Sequence, residues 1–340
     1  MKYNLLGNTG LKVSELCLGT MTFGGRGFWT AIGTQDQQTA DNLIKKAVEA
    51  GINFIDTANV YSEGLSEEIT GRAIRNLGLR RDDLVIATKV RGRMGEGPND
   101  VGLTRKHIFD QIDASLKRLQ LDHVDLYQIH SYDPLTPLEE TLDALNDLVR
   151  SGKVRYIGAS NLAAWQLMKA LSHSAHHRLA KFVSLQAYYT IAGRDLEREI
   201  IPLLKDQQTG LMVWSPLAGG LLSGKYSRAE EAKGDGRRAN FDFPPVNKER
   251  AFNIIDVLQE LAPQKNATVA QLALAWLLHQ PAVTSVIIGA NKIEQLEDNL
   301  KAPAVSFTEE ELKRLDEVSQ LPAEYPAWMF ARTYPDRLNK

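Results

Sequence analysis

Four residues of unlike type stand where short apolar runs end or just beyond. Asp56 closes INFID (52–56), Tyr61 follows five residues later, Lys89 closes LVIATK (84–89) and His130 closes VDLYQIH (124–130). Singly each is commonplace: a strand-end aspartate caps a turn, a loop tyrosine packs, a lysine reaches solvent and a histidine settles into a core. Together they form a chemical set. A phenol ionises near pH ~10, too high for acid work at neutrality, but an ammonium beside it favours the phenolate and lowers that value. Lys89 would supply that charge, Asp56 would keep a buried Lys89 charged, and His130 could donate a hydrogen bond to a substrate oxygen. Such a set suits protonation of a carbonyl oxygen while hydride arrives at its carbon.

These residues can meet only if the elements carrying them are neighbours. Eight short apolar runs recur along the chain: ELCLGT (15–20), INFID, LVIATK, VDLYQIH, VRYIGAS (154–160), FVSLQA (182–187), GLMVWS (210–215) and VTSVIIG (283–289). Between them, residues 37–50, 66–76, 104–119, 137–151, 162–174, 196–206 and 269–279 repeat Leu, Ile and Ala at three- and four-residue steps, the period of an amphipathic helix. Thr104 and Pro137 are start signals, and Gly51, Gly78 and Gly152 lie where helices should stop. Regular alternation of buried strands and helices predicts a parallel sheet covered on both faces, and eight units close a (β/α)8 TIM barrel. Active sites of that fold lie at the C-terminal ends of the strands, which brings ends two, three and four to one mouth.

The segment ahead of the first unit reads as a β-hairpin, turning at Asn8-Thr9-Gly10 between runs 3–6 and 11–18. An open doubly wound sheet would carry a glycine-rich fingerprint after its first strand, and the nearest match, Gly234 to Ala239, has no strand before it. Ser215 to about Asn247 is too long for an ordinary connection and is the candidate flap over a ligand, following barrel strand seven. One barrel domain spanning 1–340 is expected.

Composition narrows the classes of function. A folded chain of 340 residues buries roughly three-quarters of its unfolded surface, so its core needs no metal or disulfide. The single cysteine, Cys17, has no partner for an internal disulfide, and seven scattered histidines give no zinc spacing, which points to a reducing, cytoplasmic setting without a metal. With 40 basic against 42 acidic residues there is no positive field to gather a nucleic acid. No signal-peptide core and no run of 18 apolar residues is present, so no membrane partner is expected.

Across nearly its whole length the chain resembles the aldo-keto reductases, NADP(H)-dependent oxidoreductases built on a (β/α)8 barrel. The resemblance rests on GTMTFGG (19–25), DTANVYSEGLSEEITGRAI (56–74), TKV (88–90), QIHSYDP (128–134), GASN (158–161), LQAYYT (185–190), WSPLAGGLLSGKY (214–226) and IIGANKIEQLEDN (287–299). It implies that Asp56, Tyr61, Lys89 and His130 are a catalytic tetrad and that NADP(H) lies extended across the mouth. Gly19, Thr20, Met21 and Asp56 then approach the nicotinamide ribose, Ser160, Asn161 and Gln186 the carboxamide, and Trp214 stacks on the ring. Ser215, Pro216, Leu217, Gly219 and Lys225 match the loop around the pyrophosphate, and Gly289, Asn291, Gln295, Asp298 and Asn299 the adenosine end. Many members carry an arginine facing the ribose 2′-phosphate where Asn291 stands, which leaves NAD(H) open. Lys292, Arg237 or Arg238 could replace that charge, and Arg238 is assigned to the cofactor.

Aromatic residues near strand ends or in the tail (Phe23, Phe28, Trp29, Tyr132, Tyr188, Tyr189, Trp328 and Phe330) outline a substrate pocket. Trp29 and Tyr132 are its leading candidates, because each directly follows a strand-end motif. A mostly apolar pocket suits uncharged aldehydes or ketones. The SGKY and GASN-like pattern most resembles the branch that includes potassium-channel β-subunits. Its implied alternative is a nicotinamide-binding regulatory subunit that senses redox state with slow turnover. A sugar-ring or polyol dehydrogenase is a third reading, and a homo-oligomer is compatible with all three.

Overall fold

Strand alternation sorts the residues of each apolar run onto two faces, and that sorting builds the molecule. The structure is a computed structural model and describes residues 1–228, 238 and 241–335. Eight strands close a parallel barrel: β3 (Leu16–Gly19), β4 (Phe54–Asp56), β5 (Val85–Val90), β6 (Val124–Ile129), β7 (Val154–Ser160), β8 (Phe182–Tyr188), β9 (Gly210–Trp214) and β10 (Val283–Ile288), with β10 pairing β3. This is the predicted (β/α)8 TIM barrel. Cys17, Phe54, Val85, Ala87, Leu126 and Met212 pack in one apolar cluster inside it, while Leu16, Ile55, Ile86, Ile129, Val213 and Ile288 belong to the larger cluster against the helices.

The hairpin of β1 (Tyr3–Leu5) and β2 (Lys12–Ser14) forms a separate antiparallel pair that floors the barrel. Leu6 and Val13 enter the interior cluster. Gly7 has φ 58°, and a β-carbon there would lie 2.3 Å from the Val183 carbonyl oxygen, so only glycine lets the hairpin seat. The predicted second arm, 11–18, divides in two at Glu15. Ser14 donates from Oγ to the Leu16 carbonyl (2.6 Å) and from its backbone N to Asn53 Oδ1 (2.8 Å), which turns the chain out of the hairpin and into β3.

Helices α1 (Gln37–Glu49), α2 (Leu65–Asn76), α3 (Arg105–Leu119), α4 (Leu138–Arg150) and α5 (Ala164–His177) fall where periodicity predicts them. Thr104 caps α3 by accepting from the His107 backbone N, and Gly51, Gly78 and Gly152 take positive φ after α1, α2 and α4. The predicted helix 196–206 is shorter: Asp195–Glu197 forms one 3-10 turn, and α6 covers only Ile200–Asp206. The helix α7 (Lys248–Lys265) is not among those expected; Asn247 caps it, and Ala251, Ile254, Ile255, Leu258 and Leu261 bury its inner face. After α8 (Val269–Leu278), the short α9 (Ile293–Asn299) follows β10.

The interval from Ser215 to Asn247 holds a kinked 3-10 segment, Ala218–Ser223, and its residues 229–237 and 239–240, Arg237 among them, lie outside the described residues. Among the described residues no helix is long and apolar enough to cross a membrane.

One contact ties the two helices nearest the strands that carry Asp56 and Lys89. A β-carbon at Gly71 of α2 would lie 2.2 Å from the Leu119 carbonyl oxygen at the end of α3. Gly71→Ala is therefore expected to push the helices apart and lower stability by about 1–3 kcal/mol. Urea unfolding checks this, and an unchanged midpoint would show that the close approach is not required.

Candidate active site

The same alternation that makes the interior apolar near the floor makes it polar at the mouth. Two positions past Phe54 comes Asp56, past Ala87 comes Lys89 and past Leu126 comes Gln128. Register then sets them side by side: Asp56 lies opposite Ala87 and Lys89 opposite Gln128.

Lys89 and Asp56 are buried and paired, Nζ donating to Oδ2 at 2.5 Å. Lys89 Nζ also donates to the Thr57 carbonyl (2.8 Å) and to Tyr61 Oη (3.2 Å), so its three protons have three acceptors. Asp56 Oδ1 accepts from the side-chain amides of Gln128 and Gln186, each at 2.9 Å. Burial works against the lysine charge, but the attraction of Asp56 and of the Tyr61 oxygen outweighs it and holds the ammonium above the ordinary lysine value. Cys17 lies below, its thiol pushed well up by burial and then by Asp56, and it stays protonated.

Tyr61 reaches this pair from a tight turn. Ser62 and Glu63 have φ 50° and 57°, and Gly64 continues the left-handed path at 93°, where a β-carbon would lie 2.7 Å from Arg118 Cδ. Such backbone costs free energy and needs surroundings that fix it. Ser62 Oγ donates to the Phe23 carbonyl (3.0 Å) and accepts from the Gly25 N (2.9 Å), while buried Glu67 accepts from Thr88 Oγ1 (2.5 Å) and Arg118 Nε (2.7 Å). Thr88 is the outward-facing neighbour of Lys89. The turn bearing the phenol and the strand bearing the ammonium are thus braced by one carboxylate.

His130 stands beside Tyr61, ring centroids 5.7 Å apart and nearly perpendicular. Burial, then the charges of Lys89 and Arg91, bring its value down to about 3, so the imidazole is neutral through the physiological range and keeps one N–H to donate. Tyr188 offers a contrast: burial pushes its hydroxyl up to about 12, and no ammonium among the described residues bonds it.

These groups form one end of a cavity of about 740 Å³. Asp56, Tyr61 and His130 line it, with Lys89 directly behind. Gly19, Thr20 and Met21 form one wall, and Ser160, Asn161, Gln186 and Trp214 another. That second wall is cross-linked: Trp214 Nε1 donates to Asn161 Oδ1 (3.0 Å), Asn161 Nδ2 to Ser160 Oγ (3.0 Å), and Ser160 Oγ to the Gln186 carbonyl (2.9 Å). Ser215, Pro216, Leu217, Gly219 and Lys225 continue the cavity to a far end at Gly289, Asn291, Gln295, Asp298 and Asn299. Lys225 is the one cation in this wall among the described residues. A β-carbon at Gly220 would meet no other atom within 4 Å, and at Gly289 the nearest would be 3.9 Å away, so bare backbone faces open space there. An extended chamber with bare backbone in its walls, an aromatic face, amide groups at one end and a lysine farther along fits a dinucleotide.

Two expected contacts are not brought to the wall. Arg238 donates to the Ala218 and Pro244 carbonyls (2.7 and 3.0 Å) and pairs with Asp242, fastening the described parts of the flap to each other rather than offering its charge to the cavity. Tyr132 packs edge-on against Trp165, centroids 6.2 Å apart, on the outer side of the mouth. Trp29 does line the cavity, edge-on to Tyr61 at 5.2 Å. Phe23 and Tyr189 are core residues, while Trp328 and Phe330 are exposed on the tail helix Ala327–Thr333. Phe241 and Phe243, from the end of the flap, line the cavity without having been singled out in the sequence, and Phe243 stacks on Trp214 at 5.8 Å. Gln128 is the other omission; its register with Lys89 is the signal that finds it.

The model of the aldo/keto reductase family matches residues 15–320. The chain belongs to the aldo/keto reductase family. Among its relatives, an uncharacterized oxidoreductase of Bacillus subtilis, YrpG, is 40% identical, the match covering 94% of this chain and 96% of that one. A probable voltage-gated potassium channel subunit beta of Arabidopsis thaliana is 39% identical over 89% and 91% of the two chains. The versiconal hemiacetal acetate reductase of Aspergillus parasiticus is 37% identical over 93% and 96%.

Two outcomes follow from the electrostatics of this aldo/keto reductase. Lys89→Met strands the Asp56 carboxylate in the interior and is expected to cost about 3–5 kcal/mol of stability, read by denaturant unfolding. His130 is neutral in the fold down to about 3, whereas an unfolded histidine takes a proton near 6.5. Its contribution is therefore level above about pH 6.5 and turns against the fold as pH falls from there toward 3. The drop in melting temperature between pH ~7 and ~5 should be smaller in His130→Gln than in the parent; equal drops would show that His130 protonates freely in the fold.

Proposed function

We propose that the chain is a cytoplasmic, NADP(H)-dependent carbonyl reductase, converting aldehydes or ketones to alcohols. The observation that carries the reading is the three-point seat of Lys89, with its ammonium 3.2 Å from Tyr61 Oη at one end of the extended cavity. Single-cysteine composition supports the compartment, and an oxidoreductase and a reductase among the relatives support the reaction class.

Gly19, Thr20, Met21, Ser160, Asn161, Gln186 and Trp214 would hold the nicotinamide half, and Lys225 with Gly289, Asn291, Gln295, Asp298 and Asn299 the remainder. When bound, the dinucleotide supplies the hydride that the carbonyl carbon accepts. Tyr61 gives its hydroxyl proton to the carbonyl oxygen, and Lys89 stabilises the phenolate left behind. Asp56 keeps Lys89 charged throughout. His130, neutral, holds the same oxygen through its N–H, so developing negative charge meets two donors already in place. Trp29 and Phe243 narrow the approach and exclude water from the reacting carbon.

Tyr61→Phe removes one hydroxyl and leaves the cavity walls intact. Nucleotide affinity, followed by quenching of tryptophan fluorescence, should stay within a few-fold, while turnover of 4-nitrobenzaldehyde falls by about 10²–10⁴. Unchanged turnover would remove Tyr61 from its assigned role.

A further inference from the structure

Two buried glutamines on strands that do not pair are hydrogen-bonded to each other. Gln128 lies on β6 and Gln186 on β8, with β7 between them, yet Gln186 Nε2 donates to Gln128 Oε1 at 3.3 Å. The contact passes over Gly158. Register sets Gly158 of β7 opposite Gln128, and a β-carbon there would lie 3.1 Å from Gln128 Cγ and 2.8 Å from Ser184 Oγ. The missing side chain leaves the space through which Gln128 reaches β8.

Asp56 fixes which end of each amide points where. A carboxylate paired with an ammonium only accepts, so the glutamine groups that face its Oδ1, each at 2.9 Å, are N–H groups. Gln186 Nε2 has two protons, and Asp56 and the Gln128 oxygen take both. Gln186 also lines the cavity, and its Oε1 has no partner among the described residues and is not sealed in the interior. The side-chain donors beside it are committed. Asn161 Nδ2 donates to the His130 carbonyl (2.9 Å) and to Ser160 Oγ (3.0 Å), and the Ser160 hydroxyl donates to the Gln186 carbonyl (2.9 Å). The unpartnered group of this wall is therefore an amide oxygen, an acceptor.

We propose that Gln128 is a positioning residue that locks this polarity. Held at two points, Gln186 cannot turn its amide, and the ligand group it meets has to be an N–H donor. The proposal rests on the dinucleotide reading of the cavity, in which that group is the primary carboxamide of the nicotinamide. Gln128 does not line the cavity and acts through its neighbours. Because it also holds Asp56, one buried amide keeps the nicotinamide wall and the counter-ion of Lys89 in a fixed relation.

The test measures binding of NADP+ and of its 3-acetylpyridine analogue by quenching of tryptophan fluorescence. In the analogue a methyl ketone replaces the primary amide, which removes the N–H donor and keeps the shape. The parent protein should bind NADP+ about 10-fold more tightly, the weight of one acceptor left without its donor. Gln128→Met keeps the bulk, removes both hydrogen bonds and should abolish most of that preference. Gly158→Ala, which retains both glutamines and fills the space between them, should act in the same direction. Gln128→Glu keeps an oxygen for Gln186 Nε2 in either protonation state and should restore the preference. Because a ratio is read, a general loosening that weakens both nucleotides alike does not imitate the result. A parent that binds both nucleotides equally, a preference that survives Gln128→Met, or one that does not return in Gln128→Glu overturns the proposal while the dinucleotide reading stands. If the parent binds neither nucleotide, that reading fails and the proposal falls with it.

Discussion

The buried ion pair of Lys89 and Asp56 is the constraint around which the rest of the structure is arranged. Taking two opposite charges out of water costs several kcal/mol per ion, and their attraction offsets this only when every remaining donor and acceptor is satisfied. Here they are: the ammonium has Asp56, the Thr57 carbonyl and Tyr61, and the second carboxylate oxygen has two amides from different strands. Such a network tolerates no slip in strand register, since a shift of one residue turns each of these side chains to the other face. The hairpin floor and the apolar interior beneath serve the same end, because they keep water away from the underside of the pair.

Position along the strand converts that electrostatic demand into chemistry. The one acceptor of Lys89 that is also a proton donor is Tyr61, and it arrives on a turn whose three left-handed residues would not hold by themselves. Glu67 links that turn, through Arg118, to the outer face of β5, through Thr88. Strain in the loop and order in the sheet are therefore coupled by a single buried carboxylate, and the distance between phenol and ammonium is set from outside the barrel as much as from within.

Sequence legibility followed physical range. The eight strands are readable because each is a short apolar run, and the meeting of Asp56, Lys89 and His130 because all three end such runs. Gln128 is not, since an amide carries no charge to draw notice and only its register with Lys89 reveals its work. Helix α7 is masked by the polar loop it follows directly, although Asn247 and the spacing of Ala251, Ile254, Ile255 and Leu258 mark it. Arg238 and Tyr132 are of the right type near the right motif, but the Ala218 carbonyl and Trp165 that take them up lie far along the chain, and no residue type marks Asp242 and the Pro244 carbonyl as the nearer partners of Arg238.

Cys17 carries a consequence of its burial. It is the only cysteine of the chain, lies at full burial inside the barrel beneath Asp56, and has a thiol held far from ionisation. Reagents that require a thiolate cannot reach it while the strands are closed, because neither solvent nor base has access. Its alkylation rate is consequently a clock for the opening of the whole barrel, distinct from loop fluctuation at the mouth, and the molecule contains its own reporter of how often the sheet comes apart.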